Sequence, residues 1–243
     1  CLNLNFLPVI LPALTSHKNI HPHTIVDLNP ALASITGKKF KFKHVYMDYQ
    51  KALESMLECS DPLCVIATYH STHVDIAEMA VRLNSKARLF MEKPPATTRS
   101  ELDRLLQLRI GGAFIEIGYN RRYAPFVQKA YKIISEGKGP IVMTCLVKEL
   151  SIPQTHWYYW PTQGTRITGN LCHWIDLAFF FIHSNPIHVT VNSPVGNCPG
   201  DEVSIFVEFQ NGSRLTLMAT EKGDRLRGVQ EYIDIRRDDP PFQ

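Results

Sequence analysis

Residues 88–95 read RLFMEKPP, an apolar run that ends abruptly in Glu92, Lys93 and two prolines. A segment with helical character, Ser100–Leu106, follows directly. Strand followed by helix is the repeating unit of an open parallel sheet, which binds ligands outside the carboxyl ends of its strands. Lys93 is therefore a candidate catalytic residue, although a single lysine in this position is more often an ordinary surface residue.

The first half of the chain repeats this alternation of short apolar runs and helical patterns, which predicts an α/β fold with a parallel sheet. Ile76, Met79, Ala80 and Leu83 recur with the period of a helix, so we expect them to face a core. The predicted strands are Thr24–Asp27, His44–Met47, Leu63–Thr68, Arg88–Met91 and Ala113–Gly118.

From about Asn120 the pattern changes to alternating strands. Two such runs, Val203–Phe209 and Arg214–Met218, flank Asn211-Gly212, the strongest short signal for a β-hairpin. With one long helix over Cys172–Ile182, this half predicts a second, α+β domain with a mostly antiparallel open sheet. We therefore expect domains at residues 1–119 and 120–243.

Composition narrows the class of protein. The net charge of +3 is dispersed apart from a basic cluster at residues 38–43, expected to be a solvated loop, so nucleic-acid binding is disfavoured. No apolar stretch is long enough to span a bilayer, so no membrane association is expected. The six cysteines lack the spacing of a disulfide framework or of a metal motif, which favours free thiols and a cytoplasmic location.

Asp27 is the first candidate for cofactor binding. An acidic residue at the end of the second strand of a dinucleotide-binding fold accepts hydrogen bonds from the adenosine ribose, which favours NAD over NADP. A solvated aspartate capping the turn before Asn29-Pro30 explains it equally well. The companion glycine-rich turn is missing, because the first glycine is Gly37. Either that loop lies upstream of residue 1, with the chain truncated, or it has diverged.

A second candidate segment leaves the strand at residues 63–68 and enters a helix. Thr68 and His70 are expected at the carboxyl edge of the sheet, beside the free N–H groups of the helix start, where they could contact a nucleotide. His70 and His73 also form an H-x-x-H pattern, but no third ligand lies nearby, so we expect no metal. A metal-dependent hydrolase that uses His70, His73 and His173 is a third hypothesis for the function, and the sequence supports it least.

In the second half, residues 164–176 run from a glycine-bounded loop into the long helix. Helical spacing places His173 and Asp176 on one face, where a carboxylate could orient an imidazole for proton exchange. A single histidine at such a position is more often a core residue with hydrogen-bonded nitrogens than a catalytic group. Residues 157–160, with Trp157 at their head and His156 just before, could line a cleft for a sugar, although core packing explains these aromatics nearly as well.

Three of these segments together resemble the glucose-fructose oxidoreductase and inositol dehydrogenase family. They are the Glu92-Lys93-Pro94 step, the crossover Gly118–Pro125, and the helix bearing His173 and Asp176, in the family's order and spacing. The resemblance implies a Rossmann-like NAD(P)-binding domain at residues 1–119. It also implies a substrate-binding domain at residues 120–243, whose open sheet mediates homo-oligomerisation.

The resemblance further implies hydride transfer between nicotinamide and a carbinol carbon of a sugar, sugar nucleotide or cyclitol. Lys93 would hold the substrate hydroxyl and transfer its proton, His173 would be the second acid-base group, and Arg122 with Tyr123 would brace the crossover. The implied cofactor contacts are Asp27, Thr68, His70, His73, Glu92, Lys93 and Pro94. The implied substrate contacts are Lys93, Asn120, Arg122, Trp157, Asn170 and His173.

The chain departs from the family at one position of the helix motif. Many members carry an aspartate four residues before the helix histidine, where this chain has Gly169, followed by Asn170. An asparagine cannot act as a base, so Lys93 and His173 would have to suffice. Together with the glycine-free amino terminus, this favours an alternative reading as a non-catalytic binding or scaffold relative.

Overall fold

A computed structural model describes residues 10–153, 155–193, 202–223 and 225–238. The chain divides into two compact units, Cys1–Gly118 and Tyr119–Gln243, each with its own core. Within the described residues, no helix combines the length and the apolar character needed to cross a membrane.

The first unit alternates helices with short strands, and every strand pair in it is parallel, which confirms the predicted Rossmann-type fold. Its strands form two ladders, β1-β2 and β3-β4-β5, rather than one continuous sheet. If the glycine loop has diverged, Leu2 and Leu4 would occupy its glycine positions, and these residues lie outside the described ones. The elements are α1 Leu11–Ser16, β1 Thr24–Val26, α2 Pro30–Lys39, β2 His44–Tyr46, α3 Tyr49–Ser55, β3 Leu63–Ile66, α4 His73–Leu83, β4 Arg88–Met91, α5 Arg99–Ile110 and β5 Phe114–Ile117.

Local sequence signals set the helix starts. The side chain of Asn29 accepts hydrogen bonds from the first turn of α2, whose first residue is Pro30. Thr98 and Glu101 form a reciprocal capping box at the start of α5. The prediction of a loop over the basic cluster is wrong for Lys38 and Lys39, which form the last turn of α2, where cations interact favourably with the helix dipole.

The core of the first unit lies between α4 and the β3-β4-β5 ladder. Ile76, Ala77 and Ala80 of α4 are buried in one cluster with Leu89 and Met91 of β4. The helical spacing that predicted a core face is thus confirmed, with Met79 and Leu83 packed at its margin. This packing fixes the carboxyl ends of the strands, where the candidate residues lie.

The second unit holds a five-stranded sheet in the order β10-β6-β9-β8-β7, in which only β6 and β9 pair in parallel among the described strands. The predicted hairpin at Asn211-Gly212 is confirmed and joins β8 to β9. Trp174 and Leu177 of α7 pack on the inner face of the sheet. The elements are α6 Pro125–Glu136, β6 Lys138–Lys148, α7 Cys172–Ile182, β7 Pro186–Asn192, β8 Val203–Phe209, β9 Arg214–Thr220 and β10 Gln230–Asp238.

Candidate active site

Lys93 lies two residues beyond the carboxyl end of β4, and backbone hydrogen bonds tie that end to both neighbouring strands. The N–H of Glu92 donates to the carbonyl of Ile66 on β3 at 2.8 Å, and the N–H of Gly118 donates to the carbonyl of Met91 at 2.8 Å. Lys93 is half-buried, and its peptide bond to Pro94 is cis. The lysine therefore stands at the edge where an open parallel sheet presents its ligand site.

His73, at the start of α4, joins the Lys93 segment to the end of β3. Its Nδ1 lies 2.9 Å from the carbonyl oxygen of Pro94, and its Nε2 lies 3.2 Å from the carbonyl oxygen of Thr68. The side chain has no solvent exposure, and this burial lowers its pKa. His73 thus positions the backbone on either side of the site, a role that the sequence pattern did not indicate. Its predicted contact with the cofactor stays a prediction.

Thr68 and His70 both follow β3 at the predicted edge. The Thr68 hydroxyl is hydrogen-bonded to the Thr72 hydroxyl at 2.7 Å, and His70 is buried with its ring 6.0 Å from that of His73. Among the described residues, neither histidine belongs to a group of three potential metal ligands. The geometry therefore gives the metal-dependent hydrolase no support.

The Glu92 side chain lies close to the backbone of Gly118, the residue that follows β5. A Cβ atom at Gly118 would lie 3.3 Å from the Glu92 carboxylate, so the glycine permits a close approach that a larger residue would hinder. Burial raises the pKa of the Glu92 carboxyl, with the Lys93 charge opposing that rise. A partly buried carboxyl group with a raised pKa therefore lies next to the candidate catalytic lysine in the chain.

Asp27 follows β1 directly and is 3% exposed. Its Oδ1 accepts a hydrogen bond from the N–H of Asn29 at 2.8 Å, and its own N–H donates to the carbonyl of Tyr46 at 3.3 Å. The carboxylate thus stabilises the turn into α2 and at the same time lies at the carboxyl end of β1. The aspartate caps the turn as the second interpretation expected, but it is buried rather than solvated, and its place at the end of β1 is also compatible with the predicted cofactor contact.

In the second unit, the residues of the crossover are anchored to α7. Arg122, in the 3-10 turn Asn120–Tyr123, binds both carboxylate oxygens of Asp176, with its Nε donating to Oδ2 at 2.6 Å. The guanidinium also lies 5.7 Å from the centre of the Phe180 ring. Burial raises the pKa of Asp176, and the charge of Arg122 opposes that rise.

The ion pair gives Asp176 a partner that the sequence pattern did not indicate, while its predicted role in orienting His173 stays a prediction. Both oxygens of Asp176 bind Arg122. The rings of Tyr119 and Trp174 each lie 6.2 Å from the ring of His173 between centroids, and both are nearly perpendicular to it. Burial raises the pKa of Tyr119. Tyr119 was missed as a site residue, although it lies within the Gly118–Pro125 segment that carried the family resemblance.

Asn170 contacts a carboxylate that no sequence spacing indicated. Its Nδ2 donates to Oε1 of Glu149 at 2.6 Å, and the other oxygen of Glu149 lies 3.7 Å from the buried guanidinium of Arg166. Glu149 directly follows β6, more than twenty residues before Asn170 in the chain, so only the fold brings them together. A carboxylate is therefore held beside the position that follows Gly169.

The aromatic segment at residues 157–160 stacks upon itself. Trp157 and Tyr158 lie 4.5 Å apart between ring centroids, and the ring of His156 lies 5.4 Å from that of Tyr158 and 5.6 Å from that of Trp157. The Tyr158 hydroxyl donates to the carbonyl of Gly169 at 3.5 Å, while Trp160 is 46% exposed. The stack packs beside the loop that leads to His173 and leaves aromatic surface in contact with solvent.

Comparison with known proteins adds a family to this geometry. Residues 6–110 match the model of an oxidoreductase family with an NAD-binding Rossmann fold. Inositol 2-dehydrogenase of Rhizobium meliloti (strain 1021) is 24% identical over 180 residues, which are 70% of this chain and 53% of that protein. YteT of Bacillus subtilis (strain 168) is 26% identical over 202 residues, 76% of this chain and 44% of that protein. The chain spans about half the length of the curated relatives it matches.

Solved structures share the fold across both units. Myo-inositol dehydrogenase from Lactobacillus casei, in complex with NAD(H) and myo-inositol, aligns with a TM-score of 0.76 and 14% identity, covering 96% of this chain and 70% of that one. Levoglucosan dehydrogenase, in complex with NADH and L-sorbose, aligns with a TM-score of 0.75 and 21% identity, covering 93% and 65%. The resemblance inferred from the sequence is thereby confirmed: residues 6–110 match the oxidoreductase family with an NAD-binding Rossmann fold.

Proposed function

We propose that this protein is an NAD-dependent oxidoreductase that transfers a hydride between nicotinamide and the carbinol or carbonyl carbon of a sugar, sugar nucleotide or cyclitol. The observation that carries the proposal is Lys93, which follows β4 at the carboxyl edge of the parallel strands, within the family-matched residues. The names of the inositol and levoglucosan dehydrogenases support the substrate class.

The described residues fit an NAD-type dinucleotide at the ribose. Asp27 is a carboxylate at the carboxyl end of β1, suited to accept hydrogen bonds from ribose hydroxyls, and a carboxylate there disfavours the extra phosphate of NADP. Thr68, His70, Glu92 and Pro94 lie at the ends of β3 and β4 and are the further proposed contacts. When bound, the nicotinamide ring would accept or donate the hydride.

The chain's own contribution is to hold the substrate and move a proton. In the oxidation direction, the substrate hydroxyl would give its proton to the Nζ of Lys93 while the carbinol hydrogen leaves as hydride and a carbonyl forms. His73 keeps the backbone around Lys93 in place through its contacts with Pro94 and Thr68. A buried positioning group of this kind limits how far the lysine can stray from its reacting geometry.

The second unit would supply the substrate contacts. We propose His173 as the second acid-base group, with Asn120, Arg122, Trp157 and Asn170 as binding residues. Arg122 would act by holding the crossover segment through Asp176. Asn170 would present its amide in an orientation set by Glu149.

The outer face of the second unit's sheet supports assembly into a homo-oligomer. Tyr232, Leu146 and Met218 lie opposite one another on β10, β6 and β9 and are 60%, 45% and 47% exposed. A contiguous apolar row of this kind typically marks a contact surface. We propose that a second copy of the chain covers it.

A cytoplasmic location is also proposed, on the ground that the cysteines remain thiols. Among the described residues, Cys59, Cys64 and Cys145 are free thiols. Thiols of this kind persist in a reducing compartment.

A non-catalytic relative with the same fold is the second candidate. The position four residues before His173, where many family members carry an aspartate, is occupied by Gly169, and the Asn170 that follows it cannot act as a base. Asn170 also donates a short hydrogen bond to Glu149. A protein of this kind would keep the fold and bind a sugar-like ligand without turnover.

The test is NAD reduction by the purified chain with a panel of cyclitols, aldoses and sugar nucleotides. We expect turnover with at least one substrate and a loss of about 100-fold or more in kcat for Lys93→Met, with NADH affinity kept within a few-fold. The matched control is Lys86→Met, an exposed lysine before β4, which should leave kcat unchanged. Full turnover by Lys93→Met would overturn the role of Lys93, and no turnover despite NADH binding would favour the non-catalytic relative.

A further inference from the structure

Three side chains with metal-binding atoms converge in the first unit, at the amino ends of β1 and β2. His23 immediately precedes β1, His44 begins β2, and Glu58 ends the 3-10 turn that follows α3. One ligand atom from each lies within 4.8 Å of the others, and this is the single such group of three among the described residues. Asp27 stands at the opposite, carboxyl end of β1, so this group is separate from the proposed cofactor contacts.

The backbone holds the two histidines together. The N–H of His44 donates to the carbonyl of His23 at 2.9 Å, and Thr24 pairs with His44 in the parallel ladder. The two imidazole rings lie 5.0 Å apart between centroids. Their proximity is therefore set by strand pairing and does not depend on a flexible surface contact.

A chain of hydrogen bonds fixes which nitrogen of His23 carries the proton. The Ser55 hydroxyl donates to the carbonyl of Ala52 at 2.7 Å, so it can only accept from the Thr24 hydroxyl, 2.7 Å away. Thr24 has then spent its one hydrogen and must accept from Nδ1 of His23, at 2.8 Å. In a neutral ring, Nδ1 is thus the nitrogen that carries the hydrogen, and the lone pair of Nε2 faces Glu58.

The distances from Glu58 to the two histidines match those between ligands of a shared metal ion better than those within direct ion pairs. Oε2 of Glu58 lies 3.4 Å from Nε2 of His23 and 3.5 Å from Nε2 of His44. Charge-assisted hydrogen bonds span about 2.7–2.9 Å, whereas ligand atoms about 2.0–2.1 Å from a tetrahedral zinc ion are separated by about 3.3 Å. The Nε2 atom of His44 is shielded from solvent and makes no hydrogen bond within the described structure.

We propose that His23, His44 and Glu58 bind a divalent transition-metal ion of the zinc class, through Nε2 of each histidine and the carboxylate of Glu58. Two imidazoles and one carboxylate are a ligand set that zinc uses in proteins, and the hydrogen bond from His23 Nδ1 to Thr24 is the outer-shell support that such a ligand needs. The bound ion would cross-link the start of β1, the start of β2 and the turn after α3.

Lys43 would compete with a metal ion for the carboxylate of Glu58. Its Nζ lies 2.8 Å from the same Oε2 of Glu58, yet its side chain is 60% exposed and can turn away into solvent. A metal ion would have to displace this ammonium group from the carboxylate. Removing the lysine should therefore tighten metal binding, an outcome that a simple cluster of ion pairs would not produce.

The test is a Zn²⁺ titration of the full chain, first stripped with a chelator, in competition with a chromophoric indicator. We expect one Zn²⁺ per chain, and a Co²⁺ complex with the visible absorption of tetrahedral coordination. His23→Ala and His44→Ala should each weaken Zn²⁺ binding by about 100-fold or more, and Thr24→Val by about tenfold, since loss of an outer-shell partner alone weakens binding 10- to 100-fold. Lys43→Met should strengthen it.

The control is His21→Ala, which removes an exposed histidine two residues before His23 and should leave Zn²⁺ affinity unchanged. Glu58→Gln removes the carboxylate of the third ligand and should weaken Zn²⁺ binding. Because this side chain is half-exposed, we expect the variant to fold normally. Circular dichroism confirms folding of each variant. Zn²⁺ affinity unaltered in both histidine variants, or weakened in Lys43→Met, would overturn the proposal. None of these measurements depends on oxidoreductase activity.

Discussion

Arg122 binds Asp176 through both carboxylate oxygens and so joins the crossover segment to helix α7. The adjacent Arg121 makes a similar two-point contact with Glu231 on β10, at 2.5 Å for each bond. The two pairs differ in burial, because the Asp176 side chain is 7% exposed and that of Glu231 is 29% exposed. Neighbouring arginines thus anchor one short turn to two different elements of the second unit.

The first prediction compares the two anchors. Arg122→Met should lower the free energy of unfolding by about 2–3 kcal/mol, because Asp176 would keep its charge in a buried place without its partner. Arg121→Met should cost about 1 kcal/mol or less, because the Glu231 carboxylate that it leaves unpaired is more exposed. Urea denaturation of both variants measures the difference, and equal losses would contradict the burial argument.

The second prediction concerns His73 and pH. Because burial holds the pKa of His73 below its ordinary value of about 6.5, the unfolded chain binds more protons below that pH than the folded chain does. The contribution of His73 to stability is therefore fully present above about pH 6.5 and is lost as pH falls through the lowered pKa.

His73→Gln removes this titration and retains one donor and one acceptor. We expect wild type to exceed the variant in free energy of unfolding by more at about pH 7.5 than at about pH 5.5, the two sides of the ordinary histidine pKa. Denaturant curves of both proteins at both pH values measure this. An advantage that is the same at both pH values would be inconsistent with a lowered pKa.

The third prediction tests the hairpin turn between β8 and β9. Gly212 has φ of +82°, and a Cβ atom there would lie 3.3 Å from Cγ of Pro140. Gly212→Ala should lower the free energy of unfolding by about 1–2 kcal/mol. Gly212→Asn brings the same Cβ atom but tolerates positive φ, so it should cost less. If the two substitutions cost the same, the steric contact rather than the backbone conformation sets the penalty.

Local patterns predicted most of the architecture. The hairpin followed from Asn211-Gly212 between alternating strands, and α7 has the bounds that its apolar pattern indicated, Cys172–Ile182. Helix α2 went unpredicted because its buried residues, Ala33, Thr36 and Gly37, are small or polar and give no apolar stripe. Its start signals, Asn29 as cap and Pro30 at the first position, were present but were interpreted as a turn.

The candidate site was predictable where a residue follows a strand and unpredictable where contacts are distant in the chain. Lys93 and Asp27 follow strands, and the order of elements alone places them at a carboxyl edge. The pairing of Asn170 with Glu149 joins two segments through the fold, so no spacing could reveal it. Helical spacing did place His173 and Asp176 on one face, but it could not show that Arg122 takes both oxygens of the carboxylate.

The fourth prediction rests on the proposed oligomer. Leu146→Glu or Met218→Glu would place a charge in the apolar row on the outer face of the sheet, and a second copy could bury it only at a high cost in free energy. We expect sedimentation velocity to show a shift toward monomer. Ser135→Glu, on the exposed side of α6, is the control and should leave the assembly unchanged. A wild-type chain that is already monomeric would contradict the proposal.

The central claim, that the chain binds NAD through its first unit, is tested most directly by fluorescence titration of the purified protein with NADH and with NADPH. The account predicts saturable NADH binding with a Kd on the order of micromolar, within the range usual for cofactors and substrates, and weaker NADPH binding, because the carboxylate of Asp27 would repel the additional phosphate. Binding of neither cofactor, or tighter binding of NADPH, would contradict it.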